Sequence, residues 1–197
     1  MSEKHAWLKP EQVEQLRATV YDERPTFLQG RDDALIALIY DAGLRVGEAV
    51  ALNSENLDFA DDVLRLPAEV QKDYPTDKSP DDATIRLSSQ TTRTLRSYLN
   101  NRWIDPRALF PSRQSPRITE RAVRELIPQL AGAADVRPFI GQTGRGVPDD
   151  VSPHTLRHSV AYRVIEREDG DIYDVKRRLR HASVQTTERV YAHFDVV

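Results

Sequence analysis

The sequence predicts an α+β domain that is mainly α-helical, with a small antiparallel β-hairpin or three-stranded sheet. Apolar residues recur at helical spacing along most of the chain, and only the region from Val63 to Leu87 alternates as strands do. The 197 residues suit one domain, and no internal repeat or heptad pattern divides them.

Pro10 to Tyr21 reads as the first helix. Pro10 and Glu11 stand in its first turn, and Val13, Leu16 and Val20 form its stripe. Arg24-Pro25 lies in a turn-rich connection expected to reach Gly30. Arg31 to Asp41 follows, so apolar through Leu35, Ile36, Leu38 and Ile39 that it is expected to be buried. Gly43 stops it, and Arg45 to Ala51 begins the next helix. Asn53 to Asp62 is polar and turn-like. Val63 to Leu66 alternates as a strand, Pro67 limits or interrupts it, and Glu69 to Lys72 offers a continuation. Tyr74 to Asp82 is a loop, and Ala83 to Leu87 is a second strand. Ser88 to Arg102 is helical, with Leu95, Tyr98 and Leu99 on one side. Asp105 to Arg117 is a proline-rich connection. Thr119 caps a helix to Leu130, with Pro128 near its end. Ala131 to Val151, with four glycines and two prolines, is the longest irregular stretch and is expected to be mobile unless a partner orders it. Ser152-Pro153 caps and starts another helix. Glu166 to Asp171 turns, Ile172 to Leu179 is a short helix, and Ser183 to Tyr191 is the last.

Composition removes several classes. No apolar run reaches the ~18 residues a membrane span needs, and the first residues lack an apolar signal core. A cytoplasmic protein is expected. Absence of cysteine excludes disulfides and cysteine zinc sites. Lysine numbers 5 against 23 arginines, and aspartate supplies 19 of 31 acids. Such a halophile-like composition is expected of a high-salt cytoplasm, where a charged surface maintains solvation. Full solubility and thermal stability in salt-free buffer would contradict that reading.

The chemistry concentrates between Ser152 and Phe194. His154 and Arg157, three apart, lie side by side on a helix. His181 closes the KRRLRH segment, and Tyr191 follows ten residues later. Phosphoryl transfer uses such a set. An arginine fork grips the charged non-bridging oxygens, imidazoles donate hydrogen bonds and move protons, and a phenol oxygen can attack to form a covalent intermediate. A second arginine and a proton donor for the leaving group are then required. Arg45, in GLRVGE at a helix junction, supplies the arginine, with Glu48 to orient it. Lys72 on the hairpin, or Lys78 in its loop, supplies the proton donor.

GLRVGE, HTLRH, LRH and TTERVYAH, in that order and ending on a tyrosine, resemble the catalytic domain of tyrosine recombinases, the phage-integrase and Xer-type site-specific DNA recombinases. The resemblance runs from about Lys9 to Phe194. It implies the tyrosine-recombinase catalytic-domain fold and strand cleavage and rejoining through a 3′-phosphotyrosine. It implies Arg45 and Arg157 on the non-bridging oxygens, His154 assisting proton transfer, His181 as a hydrogen-bond donor and Lys72 protonating the 5′ oxygen. Tyr191 is then the nucleophile. No cofactor or metal is called for, since side-chain cations take the place a metal would fill. Two departures stand out. The family's Leu-Gly-His is Leu179-Arg180-His181 here, and Tyr191 falls one residue later than the family pattern. His158 is expected to be structural.

Double-stranded DNA is the expected partner, with self-association into a dimer or tetramer synapse on it and no membrane. The net charge of −3 departs from the usual basic balance of such proteins. Lys176, Arg177, Arg178 and Arg180 form an expected phosphate-contacting face, and Arg117, Arg121 and Arg124 recur at helical spacing as a second. Residues 1–197 read as a single catalytic domain with the family's N-terminal core-binding domain absent. The rival activities are relaxation of the type IB topoisomerase kind and a non-catalytic DNA-binding regulatory remnant.

Overall fold

Every residue from Ala34 to Ala42 is buried, because this segment is apolar on all sides except at Asp41. It belongs to α2 (Thr26–Ala42), the axis on which α1 (Pro10–Glu23), α4 (Ser89–Asn101) and α6 (Pro153–Arg167) pack. A computed structural model describes residues 5–71, 81–141 and 144–181. The expected Ser183–Tyr191 helix, Lys72, Lys78 and Tyr191 lie outside the described residues.

α2 starts earlier than the expected Arg31. The connection from α1 is only Arg24-Pro25, and Gly30 is helical beside Tyr98. The short turn holds because Gln29 Nε2 donates to the Tyr21 and Arg24 carbonyls at 2.9 and 3.0 Å. The buried acids of α2 all have partners. Asp32 accepts from Arg24 at 2.8 Å and Arg31 at 2.6 Å, and Asp33 from Arg17 at 2.6 Å and Tyr21 at 3.0 Å.

α3 (Val46–Ala51) follows α2 directly. The hairpin is a three-stranded antiparallel sheet of β2 (Leu57–Asp58), β3 (Val63–Leu66) and β4 (Ala83–Arg86), with Leu64 opposite Ile85. Of the expected continuation from Glu69 to Lys72, the described residues Glu69 to Gln71 do not extend β3. Pro67 has no N–H for the ladder, and Ala68–Val70 coils into a 3₁₀ turn. Gln71 then closes the base of the loop by donating to Leu66 and Asp81 carbonyls.

α5 (Glu120–Ala133) runs past Pro128 and past the expected end at Leu130. An internal proline costs about 3 kcal/mol. Burial of Val123, Leu126, Ile127 and Leu130, at about 1.5–3 kcal/mol each, offsets it.

Within the stretch from Ala131 to Val151, the described residues form short strands. β5 (Phe139–Ile140) and β6 (Gly144–Arg145) pair with each other, and β5 pairs with β1 (Ala6–Trp7). Strands of two residues carry no readable alternation, so the sequence does not announce this second sheet. Trp7 fixes it by stacking on Phe139 at 4.5 Å and Tyr162 at 4.3 Å. Ser159 Oγ accepts the Leu8 N–H at 2.8 Å and so anchors the chain start to α6.

α7 (Ile172–Leu179) comes back against the end of α2. A helix C-terminus leaves carbonyls without helical partners. Here four arginines take them: Arg163 on Tyr40 and Asp41, Arg178 on Asp41, Arg180 on Ala42 and Arg157 on Gly43. Four cations at the negative end of the helix also complement its dipole. Gly43 sits inside this ring with φ +62°, and a Cβ there would meet Leu179 Cδ2 at 2.7 Å. Gly43→Ala is therefore expected to destabilise the fold by about 2–4 kcal/mol, adding left-handed strain to a steric clash. Urea unfolding measures it, and a loss below about 1 kcal/mol would contradict this packing.

Candidate active site

A cleft of about 720 Å³ opens between the α2–α3 junction, the turn before Gln71, the start of α5 and the start of α6. Arg45 lines it together with His154 and Arg157, although it lies far from them in sequence. Gln71, the last described residue before Lys72, lines it too.

Arg45 is the N-cap of α3, held in extended backbone. Glu48 occupies the third helical position, so its carboxylate reaches back to the Arg45 backbone N–H at 2.8 Å. The same carboxylate accepts from Arg45 Nη1 at 3.0 Å and from Arg180 Nη2 at 2.6 Å. It is only 1% exposed and is balanced by the two guanidinium groups. Glu48 thus orients Arg45, as its spacing suggests.

α6 begins where Ser152 Oγ accepts the Thr155 N–H, with Pro153 in the first turn. That leaves His154 exposed at the cleft and sends Arg157 inward, to 2% exposure. Arg157 donates one guanidinium nitrogen to the Gly43 carbonyl and another to that of Leu179. It therefore ties the ends of α2 and α7 together beneath the cleft.

His181 follows Arg180, whose backbone is left-handed at φ 54° and ψ 46°. Burial first, then the Arg157 and Arg45 charges, push the His181 imidazole down to about 4. It is neutral near pH 7 and carries one N–H for donation.

The sequence underweights His158. It stands four residues from His154, which on a helix is the same face, and the rings tilt together at 4.0 Å. His5 adds a third ring at 5.7 Å from His158. His158 is buried, as a structural residue should be, and it also supports the His154 ring. The i, i+4 spacing was the available signal; its angle to Arg157 concealed it. Burial first, then the His154 charge, push His158 down to about 2. Since the unfolded side chain titrates near 6.5, the unfolded state binds the proton first as pH falls. Stability is complete above pH ~6.5 and declines below it, by about 1.4 kcal/mol per pH unit from this group. Acid unfolding of His158→Phe should show a flatter limb between pH ~6 and ~4, and an unchanged limb would refute the assignment.

The expected basic face divides. Arg177 points outward, pairing with Asp174 at 3.1 Å, and Lys176 is half-buried. Arg178 turns in to Asp41 at 2.9 Å and to the Arg86 carbonyl at 2.8 Å. Arg180 turns in to Glu48. Buried carboxylates and the α2 carbonyls attract both. Arg117 precedes α5 and is likewise inward, donating to Val50 and Leu52 carbonyls and to Asn53. Arg121 is exposed beside Glu125, and Arg124, paired with Glu120, lines the cleft. Among the described residues no group of His, Asp and Glu is placed to hold a metal, and no helix is long and apolar enough to cross a membrane.

Comparison with known proteins adds to this geometry. The tyrosine recombinase XerC of Chromobacterium violaceum is 31% identical over 170 residues, covering 85% of this chain and 50% of the relative. That of Thermodesulfovibrio yellowstonii is 29% identical over 179 residues, covering 86% and 52%. The chain thus spans about half the length of these curated relatives. The crystal structure of XerA recombinase superposes with a TM-score of 0.72 at 26% identity, covering 98% of this chain and 60% of that one. XerH site-specific recombinase bound to difH substrate shares the fold, with a TM-score of 0.70 at 21% identity over 95% of this chain and 50% of that one. The family model described as the phage integrase family matches residues 6–196, nearly the whole length, and the chain belongs to that family.

Proposed function

We propose that residues 1–197 act as the catalytic domain of a site-specific DNA recombinase that cleaves and rejoins duplex DNA through a 3′-phosphotyrosine. The observation that carries this is the convergence of Arg45, His154 and Arg157 on one cleft, with His181 close enough to feel both arginines. The XerC relatives and the XerH structure with its substrate support the reading.

In this mechanism the Tyr191 oxygen attacks the scissile phosphorus, and the bond to the 5′ oxygen breaks. Arg45 and Arg157 bind the two non-bridging oxygens and stabilise the charge gathering there. The neutral His181 donates a hydrogen bond to the same group. His154, on its His158 support, takes the phenol proton, and Lys72 gives one to the departing oxygen. Rejoining reverses these steps. Arg121, Arg124, Lys176 and Arg177 contact neighbouring backbone phosphates, and the protein works in the cytoplasm as a dimer or tetramer on DNA.

A duplex nicked next to the scissile phosphate loses its short 5′-hydroxyl fragment after cleavage, which traps the adduct. The wild type should accumulate a covalent protein–DNA band and Tyr191→Phe should not. Lys72→Ala should slow trapping and be rescued by a 5′-phosphorothiolate leaving group, whereas rescue of Lys78→Ala instead would move the proton donor to Lys78. Absence of any wild-type adduct on its own flanking DNA would refute the reading. Relaxation of plasmids lacking a site, with no exchange between sites, would assign the topoisomerase activity.

A further inference from the structure

Arg180 stands where the resemblance to tyrosine recombinases places a glycine. Its backbone is left-handed, a conformation L side chains rarely adopt. Glycine would hold that turn without strain, so the side chain must contribute something the turn does not need. It is 12% exposed and points away from solvent. Its guanidinium donates to the Ala42 and Arg178 carbonyls at 3.3 Å each and to Glu48 Oε2 at 2.6 Å. Glu48 in turn accepts the Arg45 backbone and side-chain N–H groups. One buried carboxylate is therefore shared between a cation in the cleft and a cation behind it.

We propose that Arg180 is a positioning residue for the cleft, holding the Arg45 guanidinium in place through the buried Glu48 carboxylate. The consequence for chemistry rests on the function proposed above; the triad itself does not. Without Arg180, Glu48 would keep only its bonds to the Arg45 backbone and side chain, and its charge would be spent entirely on the guanidinium it orients. Pinned from behind by Arg180, the carboxylate is fixed, and the triad retains one net positive charge facing the cleft. Arg180 also lies among the charges that depress His181, after burial, Arg157 and Arg45. A residue that merely ended α7 would not hold Arg45 through Glu48.

The test uses the full chain in two arms. NMR without DNA follows the Arg45 Nε–H and titrates His181 in the wild type, Arg180→Met and Arg180→Lys. In Arg180→Met the Arg45 order parameter should fall from about 0.85 to below ~0.6, and the His181 midpoint should move up. Arg180→Lys, which keeps a charge for Glu48, should retain most of both. Unchanged Arg45 and His181 signals in folded Arg180→Met would overturn the proposal and leave Arg180 as a helix cap. If Arg180→Met does not fold, Glu48→Gln is read the same way, and an Arg45 as ordered as in the wild type overturns it equally. The second arm measures adduct formation on the nicked duplex: Arg180→Met should be roughly 10- to 100-fold slower, and Arg180→Lys within about fivefold of wild type. Wild-type protein that forms no adduct would defeat the proposed function, while the NMR arm would still decide the triad.

Discussion

Arg157→Lys should form adduct about 10²- to 10³-fold more slowly than the wild type and should also be less stable. The two losses have separate causes. Arg157 is buried and bridges the carbonyls of Gly43 and Leu179, the ends of two helices. Lysine brings one compact ammonium where a planar fork is needed, so it cannot satisfy both carbonyls and a phosphate oxygen together. A buried carbonyl left without a donor costs about 1–3 kcal/mol. Removing one preorganised donor from a transition state costs about 10²–10³ in rate, and a displaced α7 would shift His181 as well. Chemical denaturation measures the first loss, and trapping assays normalised to folded protein measure the second. Near-wild-type cleavage by folded Arg157→Lys would contradict the assignment.

Arg45→Gln should separate function from stability. Arg45 is partly exposed, and Glu48 keeps Arg180 as its partner when Arg45 is lost. Stability should change by less than about 1 kcal/mol, as for most partly exposed ion pairs. Adduct formation should fall roughly 10²–10³-fold if, as proposed, the group lost acts on the developing charge. A stability loss larger than the activity loss would make Arg45 a structural residue at a helix start.

Sequence legibility followed the length of each signal. β3 at Val63–Leu66 and α7 at Ile172–Leu179 match their expected bounds, because alternation and capping are strictly local. The entry of α2 at Thr26 was hidden, since Arg24-Pro25 and Gly30 read as a loop until Gln29 is seen tying the turn. The sheet of β1, β5 and β6 was hidden because its pairing joins Ala6 to Ile140 through strands too short to show a period. In the site, Arg45, His154 and Arg157 were legible from motif spacing, and the fold brings them to one cleft. Arg178 and Arg180 were not, because sequence shows a run of charge without showing Asp41 and Glu48 waiting inside. Lys72 and Tyr191 rest on the sequence motifs.

The central claim is that Arg45 and Arg157 grip the non-bridging oxygens of one phosphate. Replacing a non-bridging oxygen of the scissile phosphate with a methyl group removes the charge they would bind. On ordinary nicked duplex, Arg45→Ala and Arg157→Ala should each lose about 10²–10³ in adduct formation. On the methylphosphonate duplex, the loss for at least one of them should shrink to less than about tenfold, since the cation no longer has an anion to stabilise. Equal losses on both duplexes would show that neither arginine acts on that oxygen, and would contradict the account.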